Sequence, residues 1–132
     1  MEKYEKLLNM LMDFNKLVRF AAVSNDKGEI LWHSQRDGIK NIVPFEETKQ
    51  TIVRAINAWR ENSRVSQIVG SGLYSISAYE KIKRISVPLD DGNILFVTLN
   101  NEPLNSKKAK SYGHLAEMGK ILSIVDFIKS QK

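Results

Sequence analysis

Residues 82–100 read Ile-Lys-Arg-Ile-Ser-Val-Pro-Leu-Asp-Asp-Gly-Asn-Ile-Leu-Phe-Val-Thr-Leu-Asn. Two apolar-rich runs flank Asp90-Asp91-Gly92-Asn93, residue types that accept positive φ and close tight turns. The pattern predicts a hairpin of two strands, 82–89 and 94–100. Ile94 to Leu99 is apolar at almost every position, so the second strand is expected inside a sheet with both faces covered. Pro88 lacks a backbone donor and fits only a strand end or a bulge. Just upstream, residues 73–80 alternate serine with larger side chains and predict an edge strand.

Farther toward the N-terminus, residues 18–24 read Val-Arg-Phe-Ala-Ala-Val-Ser, a second strand that is apolar on both faces. Asn25-Asp26-Lys27-Gly28 turns the chain back into a strand from Glu29 to Ser34 that carries Ile30, Leu31 and Trp32. Three helices complete the reading. Tyr4, Leu7, Leu8, Leu11 and Phe14 form one apolar stripe in residues 4–18. A second helix follows Pro44, a residue suited to a first helical turn, and runs to about Ser63. The last runs from about Ser106 to Ser130, after Asn101 to Ser106 with Pro103 has ended the sheet. Residues 35–43 are expected as a loop. Residues 64–72 are expected as a linker ending in Gly70-Ser71-Gly72. The order is α-β-β-α-β-β-β-α, an α+β domain. Its helix-free links are short, so its five-stranded sheet is antiparallel.

The chain has 132 residues, 42% hydrophobic and 27% charged, with a net charge of +5 and no cysteine. That suits a single domain spanning 1–132. It excludes disulfide scaffolds, thiolate zinc sites and cysteine nucleophiles. The apolar runs are shorter than a membrane span, and the N-terminus lacks a signal-peptide core. A cytoplasmic protein without a membrane span is expected.

This element order resembles the roadblock/LC7 family, within the wider profilin-like and PAS-like group. The Asn25-Asp26-Lys27-Gly28 hairpin, the long middle helix, the meander through Asp90-Asp91-Gly92-Asn93 and the terminal helix carry the likeness. The chain is also similar to small archaeal proteins, a likeness that supplies no function. The roadblock resemblance implies sheet order 2-1-5-4-3 with helices on both faces. The two strands judged central from apolarity alone then sit inside. It further implies dimerisation through the middle helix and strand 3. Modules of this family typically serve as non-catalytic platforms for small GTPases and larger assemblies.

On the middle helix, Phe45, Ile52, Val53, Ile56 and Trp59 share one arc at about 100° per residue and are expected to cover the sheet. Thr48, Thr51, Ala55, Ala58 and Asn62 recur at heptad-like spacing. Small side chains let helix backbones approach closely, so this strip is a candidate dimer seam. The alternative is a plain solvent face. On the last helix, Leu115, Met118, Ile121, Leu122, Val125 and Ile128 form one stripe. Ile124 and Phe127 fall outside it and are expected to pack against the first helix or a partner.

Ser106, Lys107, Lys108 and Lys110 are candidate anion-binding residues, because cations at a helix start call for a negative ligand. Alternatively that helix begins near Ser111 and the lysines are solvated. Lys81, Lys83 and Arg84 form a second basic group. The two histidines, His33 and His114, lie apart, and neither joins a ligand set. Phosphate-binding, dinucleotide and nucleophile-elbow motifs are missing. No catalytic residue, cofactor or metal site is expected. The reading is a non-catalytic module that pairs with itself and binds a protein partner such as a small GTPase. The alternative is a PAS- or GAF-like sensor with a small ligand between sheet and helix, which needs a closed cavity beside Trp32 or Trp59. Nucleic-acid or anion binding through the basic clusters comes third.

Overall fold

The computed structural model describes residues 2–36, 45–89, 91–100 and 113–131. In chain order the elements are α1 (Glu2–Phe14), β1 (Val18–Ser24), β2 (Ile30–Gln35), α2 (Phe45–Glu61), α3 (Ser63–Val69), β3 (Ser75–Ala78), β4 (Ile82–Pro88), β5 (Ile94–Asn100) and α4 (Gly113–Lys129). The five strands form one sheet in the order β2-β1-β5-β4-β3, and every neighbouring pair is antiparallel. The expected topology is therefore the observed one. β1 and β5 are central, β3 is an edge, and Pro88 ends β4 opposite Ile94.

The side-chain alternation of the strands sorts two cores onto the two faces. Under α1 and α4, Leu7, Leu11, Val18, Val23, Ile85, Leu95, Val97 and Ile121 are buried in one cluster. The other face is smaller. There Ile52 and Ile56 of α2 close over Phe20, Ala22, Ile94 and Phe96. Ile124, off the main stripe, joins the larger cluster with residues of α1, one of the two placements expected for it. Phe127 stays half out, with the Lys6 ammonium 5.0 Å from its ring centre.

Two hairpin details follow from local chemistry. Asn25 Oδ1 accepts the N–H groups of Lys27 (2.9 Å) and Glu29 (3.0 Å), which closes the β1–β2 turn. Gly28 then adopts φ +89°, and a Cβ there would lie 2.8 Å from Val53 Cγ2 of α2. Both the backbone conformation and the close approach ask for glycine. Val53 consequently sits at the rim under the turn, more exposed than its place on the apolar arc predicts.

One expectation is corrected. Residues 64–72 do not form a linker: Ser63–Val69 is helical. Asn62 interrupts α2 with its own backbone still near the helical region, and its carbonyl accepts Val65 N–H (3.0 Å) and Ser66 N–H (3.2 Å). Gly70, at φ +95°, stops the helix and donates to the Ser66 carbonyl at 2.9 Å. The join after it is not free either. Gly72 lies flat against the Trp59 indole, where a Cβ would come within 2.2 Å of the ring. α1 is also shorter than expected. Asn15 Oδ1 accepts Leu17 N–H and starts the turn into β1.

Candidate functional site

α2 crosses the sheet over β1 and β5 and leaves the matching face of β3 and β4 uncovered. The sequence explains why. Continuing the apolar row of Phe20 and Phe96 across the sheet on this face, one meets Thr98, Arg84, Ser86, Ser75 and Ser77. Polar side chains gain little by being roofed over, so a groove of about 420 Å³ remains between α2 and β3–β4. Thr51, Arg54, Ala55, Ala58 and Asn62 wall it on the helix side. Tyr74, Ser75, Ser77, Tyr79 and Arg84 wall it on the sheet side, and Trp59 closes its floor. The Trp59 indole N–H donates to Ser86 Oγ at 3.1 Å, which pins the ring. The Arg84 guanidinium sits 5.4 Å from the Tyr79 ring centre, a cation–π distance.

The candidate seam therefore lies on this groove. Thr51 and Ala55 are half-buried, Ala58 and Asn62 are exposed, and half-buried Thr48 sits one turn before them. Thr51 Oγ1 is turned inward to the Glu47 carbonyl (2.9 Å), so the strip presents mostly methyl groups.

Beside the groove lies a surface the sequence reading missed. Val65, Ile68 and Val69 of α3, with Leu73 and Tyr74 just after it, are all exposed, Ile68 at 86% and Val69 at 74%. α3 buries none of its residues. The signal was present in the sequence: Val65, Ile68 and Val69 repeat at helical spacing ahead of a stop glycine. With five large apolar side chains bare over ten residues, this is the densest such patch among the described residues.

The basic residues do not form one cluster. Lys83 faces the α1–α4 side, buried, and its ammonium pairs with Glu117 Oε1 of α4. Glu117 Oε2 accepts Asn15 Nδ2 at 3.0 Å. Arg84 points to the opposite face, because neighbouring strand residues alternate. The triad of Lys83, Glu117 and Asn15 ties β4, α4 and the end of α1 together in place of a binding patch. Arg36 has a similar structural task. Its guanidinium donates to the carbonyls of Met12 (2.8 Å) and Asn15 (3.0 Å), left open where α1 ends, and to that of Val18 (2.7 Å) at the start of β1.

Ser106, Lys107, Lys108 and Lys110 lie outside the described residues, as does the side chain of His114. His33 is exposed on β2, with its ring centre 6.1 Å from that of Phe20. Among the described residues no group of three acidic or histidine side chains converges on a possible metal position. No described helix is long and apolar enough to cross a membrane.

No protein-family profile matches the chain, and no curated protein does. Solved structures do. The gliding protein MglB of Thermus thermophilus superposes with a TM-score of 0.62 at 15% identity, over 95% of this chain and 90% of that one. An MglB structure with a tetrameric arrangement gives 0.60 at 14% identity, over 96% and 92%. A roadblock/LC7 domain of Streptomyces avermitilis gives 0.58 at 13% identity, over 91% and 92%. The chain has a roadblock/LC7-like fold.

Proposed function

We propose that this chain is a non-catalytic interaction module that pairs with a second copy along α2 and presents the assembled surface to a protein partner. The observation that carries this reading is the bare apolar patch of Val65, Ile68, Val69, Leu73 and Tyr74, which adjoins the small-residue strip Thr48, Thr51, Ala55, Ala58 and Asn62. A patch of this kind on a small domain is a contact surface. Small side chains on α2 let the helix of a second copy approach closely. The tetrameric arrangement described for one MglB structure supports self-association. The sequence resemblance adds a small GTPase as the partner class.

The groove's chemistry favours this reading over catalysis and over small-ligand sensing. Its described lining has arginine, tyrosine, serine, threonine and asparagine but no histidine or carboxylate to move a proton. It lies beside Trp59 but is open to solvent on one side, whereas a sensor that buries a small ligand needs an enclosed site.

The test is molar mass by light scattering. The wild type is expected at the mass of two copies or a multiple of two. Ala55→Glu is expected at the mass of one. Ala58→Glu, at an exposed position that places no demand on the fold, is expected to behave likewise. Equal masses for wild type and both variants would remove α2 as the seam.

A further inference from the structure

α3 is an element that the order α-β-β-α-β-β-β-α does not call for. It buries none of its own residues, so it adds nothing to the core that folds the single chain. Val65, Ile68 and Val69 nevertheless share one side of it, all exposed. α3 follows directly on the C-terminal end of α2 through Asn62, whose N–H donates to the Ala58 carbonyl at 3.0 Å. A body lying along the whole of α2 therefore reaches α3 next.

The charges on α2 indicate how a second copy lies there. Glu47, Arg54 and Glu61 recur every seven residues, which puts them on one line beside the strip of small residues. Arg64 follows at the start of α3. All four are exposed, and none has an ion-pair partner among the described residues. A two-fold pair makes every contact twice. In a parallel pair the two α2 helices would set Glu47 on Glu47, Arg54 on Arg54 and Glu61 on Glu61, repulsive at each step. In an antiparallel pair that crosses between Ala55 and Ala58, Arg54 comes beside Glu61 of the second copy, and Glu47 beside its Arg64. Each charge then lies within about one helical turn of an opposite one. Charges that flank a helix seam set orientation and partner choice in this way.

We propose that two copies pair antiparallel along α2, closed by Arg54–Glu61 and Glu47–Arg64 ion pairs between copies, with the apolar side of α3 laid over the first turns of the other copy's α2. α3 is then a clasp at each end of the seam. The proposal rests on the reading of α2 as the pairing surface. It adds what makes this chain its own partner, since a module of the same fold without these charges and without α3 would gain neither contact.

The experiment measures the dissociation constant of the pair by sedimentation of the full chain. Within one chain, Glu47 and Arg64 are separated by most of the 17-residue α2, more than about 20 Å. Coupling between them therefore reports contact between copies. Arg64→Glu and Glu47→Arg are each expected to weaken the pair about tenfold, because each reversal acts at two symmetric contacts. The double variant Arg64→Glu/Glu47→Arg is expected to return to within about threefold of the wild type. Arg54→Glu, Glu61→Arg and their double variant should behave in the same way. Ile68→Asp should weaken the pair at least as much, by placing a charge in an apolar contact, and leave the circular dichroism spectrum unchanged. Single reversals without effect, double variants no tighter than the singles, or an Ile68→Asp protein that pairs like the wild type would overturn the proposal. If Ala58→Glu separates the copies while these variants do not weaken them, the α2 seam stands and the clasp alone fails. A wild type at the mass of one copy would remove both.

Discussion

The two faces of the sheet are built to different ends. Under α1 and α4 the face is apolar from β1 across β5 to β4, and the Lys83 ammonium there is buried against Glu117. Under α2 the apolar part of the face lies on β1 and β5, with Ile30 of β2 at its margin. The face turns polar at β4 and β3, where Arg84 faces an open groove. β4 shows the difference within a single strand, since Lys83 and Arg84 are neighbours in sequence and face opposite ways. A side chain's charge therefore says less about its task than the face on which alternation puts it. The closed face holds the domain together, and the open face is available for contact.

Substitutions on the two faces should differ accordingly in urea denaturation. Leu95→Ala, in the closed core, is expected to cost about 3–5 kcal/mol, because a cavity is left as well as apolar surface lost. A cost below about 1 kcal/mol would mean that this face is not the stabilising one. Lys83→Met is expected to cost about 2–3 kcal/mol by leaving Glu117 without its main partner. Combining it with Glu117→Leu should recover part of that loss, and a double variant no better than Lys83→Met would break the pairing argument. Ile68→Ser, on the open side, should change the stability of the single chain by no more than about 0.5 kcal/mol. A large loss there would show that α3 is part of the fold's own core.

The sequence made the fold legible because the fold follows local rules. Turn chemistry marks the β1–β2 and β4–β5 hairpins, and continuous apolarity marks β1 and β5 as central. Serine alternation marked β3 as an edge. Pairings distant in sequence were not legible. Lys83 stood in line with Ile85 and Val87, which announced a cation on an apolar face, yet nothing local pointed to Glu117 or Asn15. Arg36 was equally silent, since its carbonyl partners exist only once α1 ends. The helix at Ser63–Val69 was missed for a different reason. Its spacing is helical, but Gly70-Ser71-Gly72 beside it has the composition of a linker, and the contact of Gly72 with Trp59 is a tertiary fact. The seam residues were readable as small side chains at regular spacing. Their place on the wall of a groove was not, because that depends on where β3 and β4 fail to be covered.

The open face as a self-association surface can be tested most directly by the dependence of thermal unfolding on protein concentration. A chain that folds as a pair gains stability by mass action, whereas a chain that folds alone does not. Over about a hundredfold range of concentration, the wild-type midpoint is expected to rise steadily and that of Ala58→Glu to stay level. A wild-type midpoint as level as the variant's would contradict the account.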